Sequence, residues 1–153
     1  MTQISGRAIE MTRTYRVTPE RLFSAWTDPA LLRRWTMPYP SLTASRCEVD
    51  AREGGGYDLV FGEPPAADDY RETAVYEVFA PVSRLVMRLH LVGDGMDQRT
   101  RCTLVLTPVE GGTRLDLRNE GFDSDEAAAG HAQGWEACLD GLARVLEQDA
   151  VPA

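Results

Sequence analysis

The end of the chain constrains the fold most: a series of alternating strands stops at Gly121 and is followed by one helix with a long apolar stripe. His131, Trp135, Cys138, Leu139, Leu142, Val145 and Leu146 recur at helical spacing, while Glu136, Asp140 and Glu147 fall largely on the opposite side. A stripe of that length must be buried against another layer, and the strands before it supply a sheet face. Asp123 or Ser124 can cap the helix, and Glu126 supports an Asp123 cap from the third position. Gly130, Gly134 and Gly141 interrupt the stripe. Each interior glycine costs about 0.5–1 kcal/mol relative to alanine. Close approach to strands or to a ligand would offset that cost; a tolerated imperfection explains it equally well.

The strands are legible by their period of two. Ile9, Met11, Arg13, Tyr15 and Val17 share one face of a first strand over 7–17. Thr18-Pro19-Glu20 and Asp28-Pro29 then start two short helices, carrying Leu22, Phe23 and Trp26, and Leu31, Leu32 and Trp35. Pro38 and Pro40 are expected to end the second. Further strands are read over 45–52, 57–61, 71–79, 85–92, 98–109 and 113–121, with turns at Gly54-Gly55-Gly56, Gly93-Asp94-Gly95 and Glu110-Gly111-Gly112. Short turns between successive strands imply an antiparallel meander. The expected architecture is α+β, a curved antiparallel sheet of about seven strands with two short helices after the first strand. One long C-terminal helix lies over the sheet. The chain reads as a single domain over 1–153 with an ordered core over 6–149. A curled sheet closed by a helix leaves space between them, where a pocket is expected.

Composition narrows the function. Formal net charge is −8, which disfavours nucleic acid and anionic membranes as partners. All 16 basic residues are arginine, which excludes a Schiff-base lysine. Cys47, Cys102 and Cys138 are widely spaced without a CxxC pair, so buried free thiols in a reducing cytoplasm are expected, with neither disulfide nor zinc. No apolar run marks a signal peptide or a membrane span. Gly54-Gly55-Gly56 is followed by Tyr57 and is not a phosphate loop.

Pocket candidates follow from strand parity. Tyr57, Leu59 and Phe61 alternate together, as do Leu85, Met87 and Leu89, and Leu115, Leu117 and Asn119. In this register Met87 and Leu89 face the pocket; a slip of one residue would bring His90 there instead. Asn119 would be polar among apolar neighbours, holding either a ligand oxygen or a backbone group. Trp35 and Trp135 can stack on a ligand or serve as core; Trp26 reads as core or subunit contact. His131 and Leu139 lie on the helix face that closes the space, and His131 is read as a half-buried helix-start histidine rather than a general base.

Several segments in order resemble the family named for the activator of the heat-shock protein 90 ATPase, within the START-like (SRPBCC, helix-grip) superfamily. They are Thr18-Pro19-Glu20-Arg21-Leu22-Phe23-Ser24-Ala25-Trp26-Thr27-Asp28-Pro29, Leu32-Arg33-Arg34-Trp35, and 47–57 (CEVDAREGGGY). Tyr76-Glu77-Val78, Pro81-Val82-Ser83-Arg84-Leu85-Val86, Gly111-Gly112-Thr113-Arg114-Leu115, Gly121-Phe122 and Gly134-Trp135 continue the match. The superfamily also contains polyketide cyclases and the major birch pollen allergen. The resemblance implies an apolar cavity between sheet and long helix but no single catalytic constellation. The expected function is binding of a small apolar or amphipathic molecule by Trp35, Tyr57, Leu59, Phe61, Met87, Leu89, Leu117, Asn119, His131, Trp135 and Leu139. No catalytic residue, cofactor or metal is assigned, and a homodimer is allowed though no residue specifies one. Alternatives are a cyclase-like enzyme, with Tyr57, His90, Asn119 and His131 as its available groups, and a chaperone-cofactor or stress-response interaction module. The sequence begins at its first strand, without the additional N-terminal domain of the eukaryotic co-chaperones, which places chaperone activation behind ligand binding.

Overall fold

The computed structural model describes residues 1–36 and 41–148. In chain order the elements are β1 (Thr2–Ser5), β2 (Ala8–Tyr15), α1 (Pro19–Thr27), α2 (Pro29–Trp35), β3 (Thr43–Asp50) and β4 (Gly56–Gly62). They continue with β5 (Tyr70–Ala80), β6 (Arg84–Gly93), β7 (Met96–Val109), β8 (Gly112–Glu120) and α3 (Asp125–Gln148). All strand pairs are antiparallel, in the order β1-β2-β8-β7-β6-β5-β4-β3. The fold is α+β as read, with eight strands where about seven were expected. The added strand is β1. Its four residues are too few to display a period, and its turn onto β2 uses Gly6 and Arg7, both at φ 60°. Two positive φ values match the twist of a tight hairpin, but arginine there gives no sequence cue. The expected helix stop at Pro38 and Pro40, and the expected core limit at residue 149, lie outside the described residues.

Local chemistry sets the helix boundaries. Thr18 Oγ1 accepts from Arg21 N at 3.2 Å and caps α1. Asp28 closes α1, its N–H donating to Ser24 O at 2.8 Å, and opens α2, its Oδ1 accepting from Ala30 N at 2.9 Å. For α3 the cap is Ser124, whose Oγ accepts from Ala127 N at 3.0 Å. The neighbouring Asp125 carboxylate instead accepts from Arg7 N at 2.6 Å, tying the helix start to the β1–β2 turn.

The stripe of α3 packs over one face of the sheet. Leu139 and Leu142 are fully buried, and Leu146 nearly so. Each leucine so buried contributes about 1.5–3 kcal/mol relative to exposure. Polar ties hold α3 along β2: Tyr15 Oη donates to Leu139 O at 3.2 Å, and Arg13 Nη1 lies 2.7 Å from Asp140 Oδ1. The interior glycines of α3 divide. A Cβ at Gly141 would sit 3.6 Å from Trp35 O, an ordinary van der Waals contact where α3 passes α2. A Cβ at Gly130 would meet nothing within 4 Å, so Gly130 is a tolerated imperfection.

Bulges tune which side chains face inward. In β5 the register shifts between Tyr76 and Val78. Before the shift Glu72, Ala74 and Tyr76 pair with Leu91, Leu89 and Met87; after it Phe79 pairs with Leu85. The extra residue therefore puts even positions and then an odd one on the same face. The opposite face of the sheet carries charge pairs: Arg101 Nε and Nη2 clasp Glu77 at 2.8 and 2.9 Å, and Arg71 clasps Asp58 at 2.9 and 3.0 Å. These exposed pairs add little stability each, but they occupy arginines whose role the sequence leaves open. Among the described residues, no helix is long and apolar enough to cross a membrane.

Candidate functional site

A cavity of about 80 Å³ lies between α3, the end of α2 and strands β4 to β6. Trp26, Leu32, Trp35 and Thr36 form its α1–α2 wall. Tyr57 and Phe61 come from β4, Glu72 from β5 and Leu91 from β6. His131, Gly134, Trp135 and Cys138 close it from α3. Strand alternation explains the sheet side, because Glu72 pairs with Leu59 on one flank and Leu91 on the other and shares their inward face. A wider open groove of about 580 Å³ runs over the other sheet face past Thr73, Arg88, His90 and Arg101, but charged and ion-paired side chains line it. It lacks the enclosed apolar character of a small-molecule site.

Indoles dominate the cavity. Trp26 and Trp35 meet edge to face with centroids 4.4 Å apart, and Trp26 lies 6.0 Å from Trp135. His131 continues the row, 6.4 Å from Trp135 and 5.3 Å from Phe122. Trp35 Nε1 donates to Ala25 O at 2.9 Å and Trp135 Nε1 to Asn119 Oδ1 at 3.0 Å. Trp26 Nε1 is buried with no partner among the described residues.

Glu72 supplies the unexpected chemistry. Burial pushes its carboxyl up to about 7, and the opposing influence is the Tyr57 phenol, its hydrogen-bonding neighbour. The phenol is driven well above its usual range by burial and then by the nearby carboxylate. Both effects follow from withdrawing charge from water. No arginine is among the described residues lining the cavity. His131 is lowered by burial, and the Cys138 thiol is pushed up to about 12 by burial and then by Glu72. Around neutral pH the imidazole and thiol are therefore neutral.

The structure brings Trp35, Tyr57, Phe61, His131 and Trp135 around one cavity. Leu59, Met87, Leu89, Leu117 and Leu139 face the same layer but sit in packed core, none more than 5% exposed. Asn119 is fully buried, with Nδ2 donating to Arg101 O at 3.1 Å and Oδ1 accepting from Trp135; both ends of its amide have protein partners. His90 lies on the other face, its Nε2 2.7 Å from Asp97 Oδ1, which decides the β6 register in favour of Met87. Trp26, read as core or subunit contact, is buried in the core and also lines the cavity, while sequence reasoning missed Glu72. The available signal was its shared parity with Ala74 and Tyr76.

The sequence model of the Activator of Hsp90 ATPase homolog 1-like protein family matches residues 16–147. No curated protein matches the chain. Among solved structures, a protein from Rhodobacter sphaeroides is 27% identical, with a TM-score of 0.82 over 99% of this chain and 100% of that one. A protein from Chromobacterium violaceum is 26% identical, with a TM-score of 0.80 over 95% and 100% of the two chains. CalU16 from Micromonospora echinospora shares the fold at 23% identity and a TM-score of 0.69, over 99% of this chain and 83% of its own. With most of its length matched and its sheet, short helices and closing helix in the same arrangement, the chain belongs to the Activator of Hsp90 ATPase homolog 1-like family.

Proposed function

We propose that the protein binds a small, largely apolar or amphipathic molecule in the space between the sheet and α3. The supporting observation is the cavity itself, walled by three tryptophans, Phe61 and two leucines, with Tyr57 and Glu72 as its polar end. Sites of this kind are mostly apolar with a few placed polar groups. At about 80 Å³ the space suits a ligand of a few heavy atoms, and a larger one would have to displace α3 or α2. All three tryptophans of the chain line it, so intrinsic fluorescence reports directly on occupancy. Titration with a library of small apolar and amphipathic compounds should give saturable changes in emission, matched by ligand-bound masses in native mass spectrometry. A flat response throughout the library, with no bound mass, overturns the reading.

One observation favours an enzymatic alternative. Tyr57, Glu72 and His131 converge on the same cavity, which is the minimum an acid–base reaction on an enolisable substrate requires. A phenol beside a carboxyl that titrates near neutrality, in its protonated form, can stabilise a developing oxyanion. Proton exchange at the α-carbon of small ketones, followed by NMR in deuterated water, tests it; exchange no faster in wild type than in Y57F removes it. The interaction-module alternative finds less support. Besides Met1, the exposed large apolar residues among those described are Val75, Met96 and Val105. Val75 faces Arg88 across the ladder and Val105 faces Arg84, so charge flanks both.

A further inference from the structure

We propose that the cavity selects a compact organic cation, an alkylammonium whose charge meets Glu72 and whose hydrocarbon lies among the indoles. The inference rests on the ligand-binding reading and names the class of ligand. Three features carry it. First, Glu72 lines a largely aromatic cavity whose described wall holds no arginine or lysine and has His131 as its one basic side chain. An ionised carboxylate withdrawn from water is stabilised by a cation, and with His131 kept neutral by burial no side chain of the described wall supplies one. Second, the π-systems around it are those that attract cations, with Trp26, Trp35 and Trp135 contiguous and Tyr57 beside the carboxyl. Third, Tyr57 lines the same cavity as Glu72, and a carboxylate has lone pairs enough to accept from a phenol and from an ammonium N–H together.

The groups facing Glu72 are accounted for from each side. Tyr57 comes from β4, Leu91 from β6, Cys102 from β7, and His131 and Cys138 from α3, with Thr36 at the end of α2. The Thr36 hydroxyl is committed to Leu32 O at 2.9 Å. His131 is the one basic group, and burial keeps it neutral near pH 7. An ammonium therefore meets no competing positive charge, while a carboxylate ligand would meet Glu72 as a like charge.

The test compares n-butylamine, 1-butanol and butyrate by tryptophan fluorescence and ligand-observed NMR, using wild type and E72Q. At about pH 8.5, where Glu72 is mostly ionised, butylamine should bind at least about tenfold more tightly than 1-butanol, and butyrate most weakly. That preference should vanish in E72Q and fall away in wild type near about pH 5.5, where the carboxyl is protonated. If 1-butanol binds as tightly as butylamine, the cation inference is overturned while the apolar site stands. Equal preference in wild type and E72Q overturns it too. Failure of both butylamine and 1-butanol to bind overturns the cavity reading beneath it. E72Q removes a buried charge and keeps the shape, and its thermal melt checks that it folds.

Discussion

Trp135 on α3 is fastened to Asn119 on β8 by an indole-to-amide hydrogen bond of 3.0 Å, and Asn119 in turn donates to the Arg101 carbonyl of β7 at 3.1 Å. One amide thus fixes the wall of the cavity to the sheet. N119A should leave the indole N–H and the carbonyl short of partners where the Asn119 amide is fully buried. A loss of about 2–3 kcal/mol is expected in urea unfolding, with altered Trp135 emission. N119D keeps an acceptor for the indole but turns an unprotonated oxygen toward the Arg101 carbonyl. It should be at least as damaging at neutral pH and recover in part on acidification.

The half-buried carboxyl of Glu72 gives stability a pH signature. Glu72 stands near 4.5 in the unfolded chain and about 7 in the fold. Its folded value is raised, so the native state holds a proton the unfolded chain has released. The associated stability is present below pH 4.5 and is lost as pH climbs through about 7. E72Q should be insensitive to this step. The difference between the two proteins should therefore move in favour of the variant by on the order of 2–3 kcal/mol across that window, measured by denaturant midpoints. A constant difference from acid to neutral pH would contradict the burial of this side chain.

Glycines separate by what surrounds them. G130A adds a methyl to open space on α3 and should stabilise by about 0.5–1 kcal/mol. At Gly56 an added Cβ would lie 1.8 Å from the Ala74 carbonyl oxygen, inside the β4–β5 pairing. G56A must part those strands and should lower the melting temperature sharply. Thermal melts of the two variants side by side check both signs.

Thiol reactivity reports on the same interior. Burial raises all three cysteine thiols, with Cys138 at about 12 on the cavity wall. Cys47 keeps partial exposure on β3 and should alkylate first; Cys138 and Cys102 should react only through opening of the fold. Iodoacetamide labelling followed by peptide mass mapping gives the order, and an occupied cavity should slow Cys138 in particular.

Sequence patterns made the layer arrangement legible because burial on one face leaves a period. The inward sides of β4, β6 and β8 and the stripe of α3 were readable for that reason, as were Thr18 and Asp28, whose hydroxyl and carboxylate stand directly before proline. The candidate cavity was legible in its aromatics and not in its charge. Glu72 sits between Arg71 and Thr73, and the bulge after Tyr76 shifts the register, so no alternation runs unbroken through β5. A carboxyl on such a strand reads as solvent-facing. Asn119 was singled out as a buried amide, but which group satisfied it depended on the distant Trp135 and Arg101.

The pairing of β2 with β8, Ala8 opposite Glu120 and Tyr15 opposite Thr113, also sets a schedule for assembly. Strands β3 to β8 are each hydrogen-bonded to their chain neighbour and can zip up through short loops. The opening hairpin has no sheet to join until nearly the whole chain is available, and closing that long loop is the slow kind of event. During synthesis it must wait, while its apolar residues Ile9 and Met11 remain uncovered. Pulsed hydrogen exchange during refolding should find amides of β6 and β7 protected first and those of β2 last.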